Sequence, residues 1–333
     1  MSAAGPLTDR FGRVHTDLRV SVTDRCNLRC FYCMPASGVE FRPHAAILTF
    51  EEIARLARVA AGLGIRKLRL TGGEPLVRKG ICDLVRMLAQ TPGIDDLALT
   101  TNGVLLPEYA GDLKAAGLRR LNISLDTLDR KRFEEISHRD ELDRVLEGIE
   151  TALRVGFEQI KLNAVAVRGR TEADAVALVR YARQRNLPLR FIEVMPLDGD
   201  GRWTRAMVLS GPEILELLSR ELGPLEPVDS AGSRAPATEY RFLDGGPPVG
   251  IVSTLSAPFC DRCGRLRLTS EGKLRNCLFS HDGWDARAVL RGGGADDDLA
   301  RLFREAVAGK KERHGTDTGH VAPTQHAMHE IGG

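Results

Sequence analysis

Residues 18–33 read Leu18-Arg19-Val20-Ser21-Val22-Thr23-Asp24-Arg25-Cys26-Asn27-Leu28-Arg29-Cys30-Phe31-Tyr32-Cys33. Leu18–Val22 has the pattern of a short strand. The polar stretch after it carries three cysteines spaced C-x3-C-x2-C, with no fourth nearby. Three thiolates can hold three irons of a four-iron cluster. The fourth iron is then free to bind a small molecule, which a fully ligated electron-transfer cluster cannot do. Structural zinc normally takes four ligands, often as C-x2-C with a distant second pair. Core cysteines rarely gather in one short polar loop. The stretch therefore reads as a strand running into an iron–sulfur site.

The same strand-then-loop pattern continues through the first two-thirds of the chain. Further strand candidates are Lys67–Leu70, Asp96–Thr100, Arg120–Leu125, Ile160–Val167 and Leu189–Val194. Helical segments lie between them. One starts at the capping-box pattern Thr49-Phe50-Glu51-Glu52 and stops around Gly62 to Gly64. Another spans about Leu142 to Val155 before Gly156, and a third starts at Thr171 and ends before Pro188. Such alternation predicts a parallel sheet with right-handed crossovers. Six units fall short of the eight of a closed barrel. A partial, open (β/α)6 barrel and a flat doubly wound sheet both satisfy the pattern.

Ligands of parallel α/β folds bind beyond the carboxyl ends of the strands. The second strand leads into Thr71-Gly72-Gly73-Glu74-Pro75, and the third ends in Thr100-Thr101-Asn102-Gly103. The fourth ends in Ser124-Leu125-Asp126 and the sixth in Glu193-Val194-Met195-Pro196. Each alone is an ordinary turn. Their recurrence at one end of successive strands suggests exposed backbone along which a cofactor lies. Arg19, Arg69 and Lys161 interrupt apolar strands. A buried cation needs a counter-charge, so these either pair with acids or line a lumen that takes an anion.

A second triplet follows in Cys260-Asp261-Arg262-Cys263 and Cys277, spaced C-x2-C-x13-C. His281 stands at C-x3-H from Cys277. Zinc on Cys260, Cys263, Cys277 and His281 therefore competes evenly with iron–sulfur here. The upstream triplet favours iron–sulfur. Arg265 and Arg267 flank Leu266, so an extended strand would put both guanidiniums on one face, suited to phosphate oxygens. The lone Cys82 sits among Ile81, Leu84, Val85 and Leu88 and reads as a core residue.

The triplet Cys26, Cys30, Cys33, with aromatic Tyr32 before its last cysteine, closely resembles the signature of the radical S-adenosylmethionine enzymes. Thr71-Gly72-Gly73-Glu74-Pro75 resembles their glycine-rich element. The second triplet, Arg190-Phe191-Ile192-Glu193-Val194-Met195, Arg265-x-Arg267 and the terminal Gly332-Gly333 narrow the match. Together they resemble the GTP 3′,8-cyclase family of molybdenum-cofactor biosynthesis, from about Phe11 to Gly333. The resemblance favours the partial barrel, TIM-like, over residues 1–196. It implies a smaller C-terminal α+β region over residues 197–333, covering the open side.

The resemblance also implies the chemistry. Cys26, Cys30 and Cys33 would hold a 4Fe-4S cluster that binds and reductively cleaves S-adenosylmethionine. Backbone at Tyr32, Gly73, Ser124 and Met195 would line that cofactor. Cys260, Cys263 and Cys277 would hold a second 4Fe-4S cluster whose open iron takes guanine. Arg19, Arg69, Thr100, Lys161, Arg265 and Arg267 would contact GTP, and Arg265 or Arg267 would assist a late step. The adenosyl radical would take the C3′ hydrogen of GTP. The C3′ radical would then attack C8, and reduction would complete the cyclised nucleotide. An external electron donor, a downstream pyranopterin synthase and a homodimer belong to the same expectation.

The whole chain is consistent with this. Its 333 residues can bury a large core, and a net charge of +2 is too mild for a general nucleic-acid binder. No apolar run reaches membrane-spanning length, and the N-terminus lacks a signal-peptide core. Cytoplasm is expected, where seven cysteines favour metal over disulfides. Two other readings stand beside this one. A peptide-modifying radical enzyme with an auxiliary cluster would usually carry more C-terminal cysteines. A non-enzymatic metal-binding module would hold zinc without sulfide.

Overall fold

The computed structural model describes residues 5–229, 235–280, 283–314 and 326–332. Strands and helices alternate as β1 (Asp17–Ser21), α1 (Phe50–Gly62), β2 (Lys67–Thr71), α2 (Ile81–Ala89), β3 (Asp96–Thr101) and α3 (Leu106–Ala115). They continue as β4 (Arg120–Ser124), α4 (Arg130–Ser137), α5 (Leu142–Val155), β5 (Gln159–Ala166), α6 (Ala175–Gln184) and β6 (Leu189–Glu193). Then come α7 (Gly211–Leu222), β7 (Leu225–Pro227), β8 (Thr238–Phe242), β9 (Val249–Val252), β10 (Arg265–Leu268) and β11 (Lys273–Arg275). The chain closes with β12 (Trp284–Asp285), α8 (Ala286–Arg291), α9 (Asp296–Ala308) and α10 (Met328–Ile331).

Local chemistry explains the boundaries. The Thr49 side chain accepts from Glu52 N while the Glu52 carboxylate accepts from Thr49 N, so the capping box forms and α1 begins there. Its buried residues Ile53, Leu56, Ala57 and Ala60 recur at helical spacing. Helix α5 stops where Gly156 takes the left-handed conformation, φ 77°. Thr171 starts a short 3-10 turn rather than α6. Its hydroxyl accepts from Val167 N and is thereby committed to the end of β5.

Among the described residues, twelve strands form one sheet, ordered β12-β11-β10-β1-β2-β3-β4-β5-β6-β9-β8-β7. From β10 to β9, eight consecutive strands run parallel. The six central ones are the open barrel wall expected from the sequence. The C-terminal region adds a parallel strand at each edge, β9 against β6 and β10 against β1, then an antiparallel hairpin outside each. The sheet does not close. Its main core lies between the strands and the helices, with Leu18, Leu68, Leu70, Leu99, Ile123, Leu162 and Phe191 fully buried. Cys82 lies half-buried against that core. A small second core joins Leu197, Leu255, Phe279 and Ile331.

Candidate active site

The parallel pairing of β10 with β1 sets the geometry. Asp17 sits opposite Arg265 and Arg19 opposite Arg267. The Cys26 loop follows the carboxyl end of β1, whereas Cys263 precedes the amino end of β10. The two cysteine sets thus lie beyond opposite ends of neighbouring strands. Strand residues rise ~3.3 Å each, so roughly 15 Å of strand separates the two levels. A cavity of about 320 Å³ spans the interval, and all six cysteines line it.

At the carboxyl end, Cys26 Sγ accepts from Leu28 N at 3.4 Å and lies 3.7 Å from Asn102 Nδ2. The buried Glu74 carboxylate accepts from Leu76 N (3.0 Å), Thr101 Oγ1 (2.8 Å) and Asn102 N (2.7 Å), joining the glycine-rich turn to the end of β3. Burial still pushes its pKa up to about 7. Tyr32 donates to Asp126 at 2.5 Å, and Asp126 also accepts from Val165 N at 2.8 Å. Burial raises the Asp126 pKa to about 6 against those two bonds. Tyr32, Gly73, Ser124 and Met195, read from the sequence as cofactor-lining, all border this cavity. Gly73 is required there: a Cβ would lie 2.3 Å from the Arg25 carbonyl oxygen.

Midway along the strands, Arg267, Arg19 and Arg69 stand in register on β10, β1 and β2. All three line the cavity with Thr100 and Arg265. Arg19 Nε and Arg69 Nε find no partner among the described residues. Burial, with Arg267, Arg69 and Arg265 close by, lowers the Arg19 pKa well below its ordinary value. Buried cations that crowd one another call for an anion. Lys161 is placed differently. It is not among the cavity-lining residues, and its Nζ is 3.8 Å from Glu239. Arg190, which does line the cavity, shares that carboxylate at 3.4 Å. Arg190, Glu74, Asn102 and Asp126 were not singled out from sequence as site residues. Their signal was there: Glu74, Asn102 and Asp126 lie in segments noted at strand ends, and Arg190 opens the quoted stretch Arg190–Met195.

Around the second triplet, Arg265 Nη2 approaches Cys263 Sγ at 3.4 Å and Lys310 Nζ at 3.7 Å. Burial opposes ionisation of Cys263, but Arg265 and Lys310 outweigh it and bring its pKa down to about 6. At Cys26 burial outweighs Arg29 and two hydrogen bonds, and at Cys33 it outweighs one hydrogen bond, so the two are raised to about 11 and about 12. No group of three His, Cys, Asp or Glu among the described residues converges on a single metal ion. A four-iron cluster asks for less convergence, because each thiolate meets a different iron. The donor sets therefore fit two 4Fe-4S clusters with one open iron each. His281, the fourth ligand of the zinc alternative, lies outside the described residues.

The C-terminal tail reaches this cavity. Ile331 is buried in the second core, and His329 Nδ1 lies 3.3 Å from the Cys33 carbonyl. The Gly332 carbonyl accepts a hydrogen bond from Arg267. Gly333 lies outside the described residues.

Residues 20–182 match the radical SAM superfamily, and residues 187–316 match the family called Molybdenum Cofactor Synthesis C. A GTP 3′,8-cyclase of Rhodopirellula baltica is 49% identical, covering 98% of this chain and 92% of the relative. A GTP 3′,8-cyclase of Moorella thermoacetica is 45% identical, covering 98% of this chain and 100% of the relative. The chain belongs to the GTP 3′,8-cyclase family. Structural similarity supports the fold alone. Streptococcus suis SuiB bound to S-adenosylmethionine superposes with a TM-score of 0.61 at 15% identity, covering 82% of this chain and 63% of that one. HydG, a maturase of the [FeFe]-hydrogenase, gives 0.51 at 17% identity, covering 62% and 49%. As in other GTP 3′,8-cyclases, the cofactors are S-adenosylmethionine and two 4Fe-4S clusters.

Proposed function

We propose that this cavity cyclises GTP to (8S)-3′,8-cyclo-7,8-dihydroguanosine 5′-triphosphate, the first step of molybdenum-cofactor biosynthesis. One observation carries the reading: three arginines in register occupy the middle of a cavity bounded by a cysteine triplet at each end. An anionic substrate held there faces both triplets at once. When bound, the first cluster and S-adenosylmethionine supply a hydrogen-abstracting adenosyl group. The chain's own part is binding, orientation and exclusion of water.

Cys26, Cys30 and Cys33 hold the first cluster, and Cys260, Cys263 and Cys277 the second. Backbone at Tyr32, Gly73, Ser124 and Met195 lies along S-adenosylmethionine. Arg19, Arg69, Thr100, Arg265 and Arg267 take GTP, with forked guanidiniums suited to its phosphates. Lys161 joins them once the triphosphate draws it from Glu239. Arg265 or Arg267 assists a late step by holding the product's charge. The division of labour falls near residue 196, with the radical machinery before it and the guanine end after it. An external donor supplies the electrons, and a cytoplasmic pyranopterin synthase takes the product. Homodimerisation belongs to this proposal too. Among the described residues, no helix is long and apolar enough to cross a membrane.

Anaerobic incubation with GTP, S-adenosylmethionine and a reductant tests the reading. Cyclised nucleotide and 5′-deoxyadenosine should accumulate together. Release of 5′-deoxyadenosine with GTP left intact would point instead to another substrate, such as a peptide.

A further inference from the structure

Lys310 follows α9, and only 4% of it is exposed. Its ammonium has three donors. One reaches the Arg265 carbonyl at 2.9 Å, one the Asn276 carbonyl at 2.8 Å, and one Cys263 Sγ at 3.7 Å. None of these acceptors is a carboxylate. A buried ammonium without an anion is costly, and the anion that this position offers is sulfur. The three acceptors also matter by place. They are a ligand cysteine, the first arginine of β10, and the residue just before Cys277.

The backbone beside Lys310 is held as firmly. Arg13, paired with Asp9 at 2.6 Å, donates to the carbonyls of Lys311 (2.7 Å), Glu312 (2.8 Å) and Cys260 (2.7 Å). One arginine thus fastens residues 311–312 to the first cysteine of the second triplet. Lys310 fastens the same segment to Cys263 and to Asn276, the neighbour of Cys277. Its position leaves little room for the side chain to swing away.

The geometry points to Lys310 as a positioning residue that holds a fixed positive charge and an N–H donor against the second cluster, raising that cluster's reduction potential while locking β10 and β11 around it. The inference rests on the reading that the second triplet carries a 4Fe-4S cluster. Hydrogen bonds to cluster sulfur and nearby net charge are the protein's main means of setting such potentials. A cation close to the cluster favours the form carrying one more electron.

The test uses the full chain, anaerobically reconstituted, with the second cluster followed by redox-titrated EPR. Lys310→Met removes charge and donors. Lys310→Gln removes charge and keeps donors. Both should lower the midpoint potential of the second cluster, by at least about tenfold in the reduction equilibrium, or ~59 mV for one electron. The first cluster should not move. Loss of only the second cluster's iron in either variant would likewise place Lys310 in that site. Unchanged iron and unchanged potential in both would overturn the inference. So would general unfolding of both with loss of both clusters, which would make Lys310 a core-packing residue. Wild-type protein with zinc, or with about four irons, would instead overturn the cluster reading itself, before any variant is compared.

Discussion

The guanidinium of Arg267 donates to the carbonyl oxygen of Gly332, 65 residues further along the chain. Arg267 is buried, and burial together with Arg265 brings its pKa down to about 10. The bond is made by a guanidinium that lines the cavity. It joins the tail to the arginine row, while His329 touches the Cys33 carbonyl and Ile331 anchors the tail in its own small core.

The tail should therefore matter to cyclisation and little to folding. Gly332 has φ 75°, and a Cβ there would lie 2.4 Å from Thr71 Oγ1 and 2.9 Å from Ser21 Cβ. Gly332→Ala, or deletion of Gly332 and Gly333, should leave both clusters intact. Adenosyl release should persist. Cyclised product should fall at least about tenfold, a barrier change of only ~1.4 kcal/mol. Full product formation by the truncated chain would show that the tail is dispensable.

Gly73→Ala tests the other end of the cavity. Its Cβ would press on the Arg25 carbonyl, next to the first ligand cysteine. The turn must shift, because the obstacle is backbone. The variant should bind S-adenosylmethionine at least about tenfold more weakly, ~1.4 kcal/mol. The measurement is the EPR change of the reduced first cluster on titration with S-adenosylmethionine. An unaltered titration would show that the cofactor does not lie along this turn.

Cys260, Cys263 and Cys277 changed together to serine should halve the metal. Reconstituted wild-type protein should carry about eight irons and about eight sulfides, and the triple variant about four of each. Retention of all the iron with loss of zinc would restore the Cys3His zinc alternative.

Much of this arrangement was legible in the sequence. Cysteine spacing picked out a loop that lines the cavity, and the six strand candidates match β1 to β6 within about two residues. Short strands β9 and β10 were harder to see as members of the same sheet. Each has four residues, and only tertiary pairing reveals that they run parallel to β6 and β1. Lys161 shows a similar limit. Period-2 alternation puts it on the inner face of β5, but only Glu239 on distant β8 decides what it meets. Lys310 had no local signal, because its partners are two carbonyls and a thiol at the far side of the second site.

His15 makes stability depend on pH. It is fully buried, and burial, with Lys310 close by, lowers its pKa from 6.5 to about 4 despite its contact with Asp9 at 3.1 Å. Between those values the unfolded chain binds a proton that the folded chain refuses. Stability therefore stays level above pH 6.5 and falls as pH drops towards 4, by up to ~3 kcal/mol in all. His15→Asn should lack this component. From pH 7.5 to 5.5, anaerobic thermal unfolding should cost the wild type ~1.4 kcal/mol more than the variant. Parallel losses in the two proteins would contradict the assignment.

The most direct test of the central claim follows one hydrogen. GTP deuterated at C3′ is incubated anaerobically with the reconstituted protein, S-adenosylmethionine and reductant, and 5′-deoxyadenosine is analysed by mass spectrometry. A cavity that holds GTP between the two triplets, with C3′ towards the first, predicts deuterium in 5′-deoxyadenosine alongside cyclised nucleotide. Unlabelled 5′-deoxyadenosine beside a cyclised product would contradict it.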